Sequence, residues 1–190
     1  MNLIFIRHGQ GEHTVNLPGS LNLKNPSLTN LGVRQAKLLR EQFPLNENDV
    51  ILISPTKRTL QTAFTWSKNI DCGKIVSPFV SPRMFPILPG KDTLPCDEMM
   101  EVPSIIEEFP AAELQNIDSE IWCNGINMIP EYHFAALAGE FIQYCKGHKK
   151  ERIYIVSHDG TITSYRQILT GSTLTRNDFP VETGWFELMC

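Results

Sequence analysis

The sequence predicts an α/β protein, a three-layer α/β/α sandwich with a mainly parallel sheet and an irregular lid insertion after the third strand. Short apolar runs at 3–6, 50–53 and 153–156 predict buried strands. Helical patterns separate these runs, and strands that alternate with helices form parallel sheets covered on both faces. The length of 190 residues fits one domain, 1–190, and no linker or internal repeat divides it.

The composition is typical of a globular chain, with 42% hydrophobic and 20% charged residues. A formal net charge of −4 gives no support to nucleic-acid binding. No apolar run approaches the roughly 20 residues that span a bilayer, and no signal peptide is recognisable. The five cysteines are widely spaced, which favours neither a disulfide framework nor a structural zinc site. We therefore expect a cytoplasmic protein that binds neither membranes nor nucleic acids.

The elements before residue 78 follow in a regular order. After the first strand, a polar loop leads to Thr29, a suitable N-cap for a helix that ends at Pro44. The second strand is followed by Ser54 and Pro55, a typical N-cap and first residue of a helix. A third strand is predicted at 74–77.

The pattern becomes irregular between residues 78 and 130. Eight of the thirteen prolines lie there, and proline interrupts helices and removes hydrogen-bond donors. Short helices are predicted only around 103–109 and 111–117. Between Lys91 and Lys146 there are eleven acidic residues and no lysine or arginine. Long excursions of this kind are typical of lids, and an acidic lid would disfavour substrates with several phosphates.

The C-terminal part returns to regular elements. Residues 131–147 carry apolar side chains at i, i+3, i+4, i+7 and i+11, the spacing of one helix face. The strand at 153–156 follows, and then a helix at 161–169 that ends at Gly171. A last strand is predicted at 182–188.

Cationic and imidazole side chains follow the buried strands. Arg7 and His8 end the first strand, His158 follows a later one, and Arg58 lies in the first turn of a helix after the second. The carboxyl ends of parallel strands share one edge, where ligands bind. Because guanidinium groups match phosphate oxygens, an imidazole between two of them is placed to attack phosphorus. The pattern predicts a phosphoryl-transfer site.

Four segments together resemble the histidine phosphatase superfamily, the phosphoglycerate mutase-like group. Their order and their placement on the predicted elements make the combination far more specific than the first segment alone. They are Arg7-His8-Gly9, Leu28-Thr29-x-x-Gly32-x-x-Gln35-Ala36, Ser54-Pro55-x-x-Arg58-x-x-Gln61-Thr62-Ala63 and Ser157-His158-Asp159-Gly160. Within the excursion at 78–130, only Leu94-Pro95-Cys96-Asp97-Glu98 resembles the family, through a Pro-Cys-Asp segment of some divergent members.

The resemblance implies a role for each matching residue. His8 would be the nucleophile that becomes phosphohistidine, while Arg7, Arg58 and His158 would bind the phosphoryl oxygens. The backbone amide of Asp159 would be a further donor. The nucleophile must be neutral, so its second ring nitrogen should donate to a nearby carbonyl. The resemblance implies no metal and no cofactor, and its partner would be a small phosphorylated molecule.

Two positions depart from the family's pattern. The phosphate-binding asparagine six residues after the nucleophile is replaced by Thr14, with Asn16 as the alternative. The usual Leu-x-Glu that holds the proton donor is absent, and we expect Asp97 to serve instead, with Glu98 as second choice. His13, His133 and His148 are interpreted as surface or packing residues, and His13 is the first candidate for an exception because it lies in the signature loop.

The predicted activity is hydrolysis of a small phosphomonoester through a metal-independent phosphohistidine. A phosphoglycerate-type phosphomutase is the nearest alternative, although no additional basic segment for a bisphosphate is evident. A phosphate- or phosphoprotein-binding module without catalysis is the alternative from another class, since the usual acid is displaced. A metal-binding reading of the pair His158 and Asp159 is disfavoured because the pair follows a strand rather than lying on helices.

Overall fold

The computed structural model describes residues 1–88, 90–117 and 119–189. Two residues of the predicted excursion, Pro89 and Asp118, lie outside these ranges, as does Cys190. The strands are β1 (Asn2–Arg7), β2 (Val50–Ile53), β3 (Gly73–Val76), β4 (Glu113–Leu114), β5 (Arg152–Ser157) and β6 (Trp185–Met189). They form one sheet in the order β4-β3-β2-β5-β1-β6.

The sheet is parallel except for β6, which pairs antiparallel with β1 at one edge. The register places Arg7 opposite Ser157, so that β1 and β5 end at the same level. The amide of His8 donates to the carbonyl of Ser157 over 3.0 Å, which continues this pairing beyond the strand. The residues that follow both strands therefore lie side by side.

The helices are α1 (Asn30–Gln42), α2 (Lys57–Trp66), α3 (Val102–Glu108), α4 (Ser119–Asn124), α5 (Glu131–Gly147) and α6 (Asp159–Thr170). The predicted N-cap of α1 is confirmed, since the Thr29 hydroxyl accepts from the Gly32 amide over 3.0 Å. The prediction for 131–147 is confirmed at both ends. Within the described ranges, no helix combines the length and the apolar character needed to cross a bilayer.

The helix predicted at 111–117 is wrong. Residues Glu113 and Leu114 form β4, which pairs parallel with β3, and the next helix begins only at Ser119. The Gln115 amide continues the pairing by donating to Val76 over 2.9 Å. Residues 113–114 thus form a strand because they pair with the edge of β3. The local sequence pattern does not reveal this partner, which lies far away in the chain. The last strand begins at 185 rather than 182, because residues 182–184 form a turn.

Two apolar clusters cover the two faces of the sheet. On one face, Phe5, Leu52 and Ile155 pack with residues from α5 and α6. On the other face, the neighbouring positions Ile51 and Tyr154 pack with residues from α1, α2 and α3. Because alternate residues of each strand point to opposite faces, the strands are apolar throughout. The three-layer sandwich is confirmed.

The excursion folds back over the carboxyl edge of the sheet. The Met100 amide donates to the Pro55 carbonyl over 2.8 Å, which ties the excursion to the start of α2. Further along, the Ile126 amide donates to the Ser81 hydroxyl over 3.1 Å. Ile105 and Ile126 are both completely buried, each in a different cluster. The excursion therefore contributes to both cores.

The loop after β1 crosses α1 at Gly32. A β-carbon built on this glycine would lie 2.2 Å from the carbonyl oxygen of Gln10, which is far inside van der Waals contact. Gly139 on α5 offers a contrast, since a β-carbon there would meet no atom within 4 Å. The first glycine is therefore required by the approach of two backbones, whereas the second is not.

We expect Gly32→Ala to lower the free energy of unfolding by about 1–3 kcal/mol, the usual cost of overpacking. Gly139→Ala, the matched control within a helix, should raise it by up to about 1 kcal/mol because alanine favours helix. Urea unfolding of the three proteins measures both effects. Equal stability of the two variants would show that the loop does not need this close contact.

Candidate active site

The carboxyl edge of the sheet brings four predicted residues together. His8 and His158 follow β1 and β5, and their ring centroids lie 5.2 Å apart. Arg58, from the first turn of α2, donates through Nε to Nε2 of His8 over 3.2 Å. Its Nη2 lies 3.1 Å from Nδ1 of His158. Arg7 ends β1 beside them, so three separate segments build one cluster.

His8 is held in one tautomer. Its Nδ1 lies 2.7 Å from the Gly9 carbonyl oxygen, so Nδ1 carries the proton and donates it there. The other nitrogen, Nε2, is then unprotonated and accepts from Arg58. A neutral nucleophile requires this arrangement, because the lone pair of Nε2 is the one available for attack.

Burial keeps both central histidines neutral. It lowers the pKa of His8 well below the ordinary value of 6.5, and the positive charge of Arg58 lowers it further. The pKa of His158 is lowered well below 6.5 by the same two causes in the same order. Both rings are at most 4% exposed. Neither ring therefore carries a proton charge near neutral pH.

Asp97 reaches the site through Arg58. The guanidinium is 1% exposed and donates through Nη1 to the Cys96 carbonyl over 2.6 Å and through Nη2 to Asp97 over 3.0 Å. Burial raises the pKa of Asp97, while the Arg58 charge lowers it and Asp159 raises it. Glu98 instead pairs with Lys24 over 3.0 Å at the surface. The structure thus brings the first-choice acid to the cluster, and not the second.

Arg7 is oriented by two partners. Its Nη1 donates to the Pro180 carbonyl over 2.7 Å, and its Nη2 lies 2.9 Å from Oδ2 of Asp159. The remaining donor, Nε, is buried and without a partner among the described residues. Asp159 also opens α6, whose first amides have no intrahelical acceptor. Sequence reasoning assigned Asp159 a backbone role only and missed its carboxylate.

The structure does not bring Thr14 to this cluster. Its hydroxyl donates to the carbonyl of Gly11 over 2.9 Å, within the tight turn of the loop after β1. Asn16, the alternative, is exposed. The residue of this loop that does approach the nucleophile is His13, whose ring centroid lies 5.5 Å from that of His8. The interpretation of His13 as a surface or packing residue did not include this contact with His8.

His13 is buried beside Gly11. Its side chain is 8% exposed, and Nδ1 is shielded from solvent without a hydrogen-bond partner among the described residues. A β-carbon on Gly11 would lie 2.6 Å from that nitrogen. Burial, and after it the positive charges of Arg58 and Arg7, together lower the pKa of His13 to about 3. In the sequence, the signal for this placement was the Gly-x-His spacing of Gly11 and His13 in the loop after β1.

Two cavities meet at Asp97. The larger, of about 650 Å³, is lined by Asp97, Glu98 and Glu101 and, among the described residues, by no lysine, arginine or histidine. The smaller, of about 330 Å³, has three cationic and three acidic residues in its lining: Arg83, Lys91, Arg176, Asp92, Asp97 and Asp159. The first cavity is therefore acidic, whereas the charges of the second are balanced.

The pair His158 and Asp159 is fully engaged with protein groups. The Ser54 hydroxyl lies 2.7 Å from Nε2 of His158, and Arg58 contacts the other ring nitrogen. The carboxylate of Asp159 pairs with Arg7. Across the described ranges, no group of three or more His, Cys, Asp or Glu side chains is arranged to hold a metal ion.

Residues 3–90 match the family model of the histidine phosphatase superfamily, branch 1. This stretch contains three of the four motifs found in the sequence, and the fourth follows β5 at the same edge of the sheet. No curated protein matches the chain. Over residues 3–90 this match bears out the resemblance to the histidine phosphatase superfamily that the motifs predicted.

Several solved structures share the fold over nearly the whole chain. Alpha-ribazole phosphatase from Shigella flexneri is 20% identical with a TM-score of 0.61, and the alignment covers 98% of this chain and 89% of that one. Phosphoserine phosphatase from Entamoeba histolytica, in complex with 3-phosphoglyceric acid, is 18% identical with a TM-score of 0.63 and coverages of 99% and 90%. Mycobacterial glucosyl-3-phosphoglycerate phosphatase in complex with VO3 is 16% identical with a TM-score of 0.58 and coverages of 99% and 92%.

We expect burial of His13 to make stability depend on pH. Its pKa is about 3 in the folded protein and near 6.5 when exposed, so below pH 6.5 only the unfolded chain binds this proton. Stability is unaffected above that pH and falls as the pH is lowered, by about 1.4 kcal/mol per pH unit from this one group.

Unfolding free energies of wild type and His13→Gln between pH 7 and 5 measure this contribution. Below about pH 6, where the unfolded ring is largely protonated, the variant should show a slope shallower by about 1.4 kcal/mol per pH unit. His133→Gln is the matched control, because the side chain of His133 is exposed on α5, and it should keep the wild-type slope. An unchanged slope in His13→Gln would contradict the burial of a neutral ring.

Proposed function

We propose that this chain is a phosphatase that hydrolyses a small phosphomonoester through a phosphohistidine on His8, without a metal. The observation that carries this proposal is the orientation of His8, whose Nδ1 proton is bound by Gly9 while Nε2 faces Arg58. An unprotonated nitrogen beside a buried guanidinium is suited to attack a phosphorus whose oxygens that guanidinium neutralises. The solved structures with this fold, named above as phosphatases, support the same reaction class.

The first step transfers the phosphoryl group to the protein. Nε2 of His8 forms a bond to phosphorus as the bond to the leaving oxygen breaks, and Asp97 gives its proton to that oxygen. A phosphoryl oxygen competes with the Asp97 carboxylate for Nη2 of Arg58. Once the cation is shared in this way, the pKa of Asp97 rises further, because Arg58 is the group that lowers it. Substrate binding thereby favours the protonated acid that the step needs.

The second step releases phosphate. Asp97, now a carboxylate, accepts a proton from water as the water oxygen bonds to phosphorus and the bond to Nε2 breaks. The donors for the phosphoryl oxygens are the guanidinium of Arg58, the Nε of Arg7, which no described group binds, and the backbone amide of Asp159 at the start of α6. His8 regains its neutral form, with the Nδ1 proton still held by Gly9.

The cavity beside the site supports a small leaving group. The space of about 330 Å³ that touches both Asp97 and Asp159 is at the lower end of ligand-pocket volumes. Its described lining has as many cationic as acidic residues, so it is not the purely acidic surface expected from composition. We further propose that residues 1–190 form one domain with 78–130 as its substrate lid, and that the protein is cytoplasmic.

The proposal is tested by measuring the hydrolysis of two substrates, an alkyl phosphate and nitrophenyl phosphate, with and without EDTA from about pH 5 to 8. His8→Ala should abolish turnover of both, and EDTA should change nothing. Asp97→Asn should lower kcat/KM, which reports formation of the phosphohistidine, on an alkyl phosphate by about 10²–10⁴, since a poor leaving group needs a proton. The loss on nitrophenyl phosphate should be much smaller, because nitrophenolate leaves without one.

Glu98→Gln is the matched control, an adjacent carboxylate that pairs with Lys24 at the surface, and it should retain wild-type rates. Activity that disappears with EDTA would support the metal reading of His158 and Asp159. A wild-type protein that binds phosphate but hydrolyses neither substrate would support the binding module instead.

A further inference from the structure

The ring of His13 lies buried beside the candidate nucleophile, with its centroid 5.5 Å from that of His8. His13 is 8% exposed, and its Nδ1 is shielded from solvent without a hydrogen-bond partner among the described residues. Burying an unsatisfied polar group costs free energy, and a hydrophobic residue would fill the same space without that cost. An imidazole kept at that cost next to His8, with no described protein group bound to its ring, is therefore a candidate to bind a ligand through its other nitrogen.

The surroundings of His13 decide which nitrogen carries the proton. Nδ1 lies against the Cα of Gly11, where a β-carbon would be only 2.6 Å away, and no acceptor is present there. A proton on Nδ1 would thus be buried without an acceptor. The neutral ring is better satisfied with its proton on Nε2, the nitrogen away from Gly11, which then serves as a donor.

The charges around His13 indicate what this donor can bind. Arg58 and Arg7 both lie close enough to lower its pKa, and His13 in turn lowers the pKa of His8. Two guanidinium groups and a neutral imidazole donor around one nucleophile form a site for an anion with several oxygens. A phosphoryl group on its way to His8 has those properties.

The backbone holds the ring in position before any ligand binds. The carbonyl of His13 accepts from the Ser20 hydroxyl over 2.8 Å. The turn before it is closed by Thr14, whose amide and hydroxyl both contact the carbonyl of Gly11. The Glu12 amide donates to the Ser27 carbonyl over 2.9 Å, which fixes the loop to the segment before α1. A donor fixed in advance loses little entropy when the substrate binds.

We propose that His13 is a catalytic residue that donates from Nε2 to an oxygen of the transferring phosphoryl group, in the place where Thr14 was expected to act. The inference rests on the proposed function, since it concerns the same phosphoryl site. It assigns the loop after β1 a direct contact with the reacting group, made by an imidazole rather than by a hydroxyl.

Three variants separate a donor from a packing residue. His13→Phe keeps a ring and removes both nitrogens, His13→Gln restores an N–H donor, and Thr14→Val removes the hydroxyl. We expect His13→Phe to lower kcat by about 10²–10³, the usual loss for one donor to a developing charge. Affinity for inorganic phosphate should fall about 10- to 100-fold. His13→Gln should recover part of both, and Thr14→Val should lose neither.

Phosphate affinity is measured by calorimetry as well as by inhibition, so that the readout does not depend on turnover. Circular dichroism and thermal unfolding show whether each variant is folded, and if His13→Phe does not fold, the comparison of His13→Gln with wild type decides. Near-wild-type turnover in His13→Phe, or losses in Thr14→Val alone, would overturn the inference. Failure of the proposed function would look different from failure of this inference. In that case the wild type would hydrolyse neither substrate, or its turnover would persist in His8→Ala.

Discussion

The buried guanidinium of Arg58 is the constraint on which the rest of the site depends. A charge that is 99% shielded is tolerated only when its donors are satisfied, and here they contact His8, His158, Asp97 and the carbonyl of Cys96. Burial lowers the pKa of Arg58, while the nearby Asp97 charge raises it. These partners come from two strand ends and from the excursion. Satisfying one cation therefore fixes the position of three segments.

The same charge also sets the chemistry of its neighbours. It lowers the pKa of both central histidines, which keeps the nucleophile unprotonated, and it opposes the effect of burial on the pKa of Asp97. In the proposed reaction a phosphoryl oxygen takes the place of the Asp97 carboxylate on Arg58. Substrate binding and the pKa of Asp97 are thereby coupled through Arg58. Arg7 and Asp159 form a second pair of a guanidinium and a carboxylate in the same site.

The sequence allowed most of the fold and the centre of the site to be predicted, because both are encoded locally. Strands β1, β2 and β5 are short apolar runs, and the residues that follow them reach the edge by topology alone. The strand β4 was mistaken for a helix because its partner β3 lies far away in the chain. The contact of His13 with His8 and the pairing of Asp159 with Arg7 were missed for the same reason. Both depend on how loops fold over the edge, which spacing does not reveal.

The central claim is that His8 carries the phosphoryl group. Wild-type protein mixed with excess alkyl phosphate, quenched in alkali within one turnover and digested for mass spectrometry, tests it most directly. We expect an acid-labile phosphoryl group on the peptide that contains His8, absent when His8→Ala is treated in the same way. Turnover without any protein-bound phosphoryl group, or with the group on another residue, would contradict it.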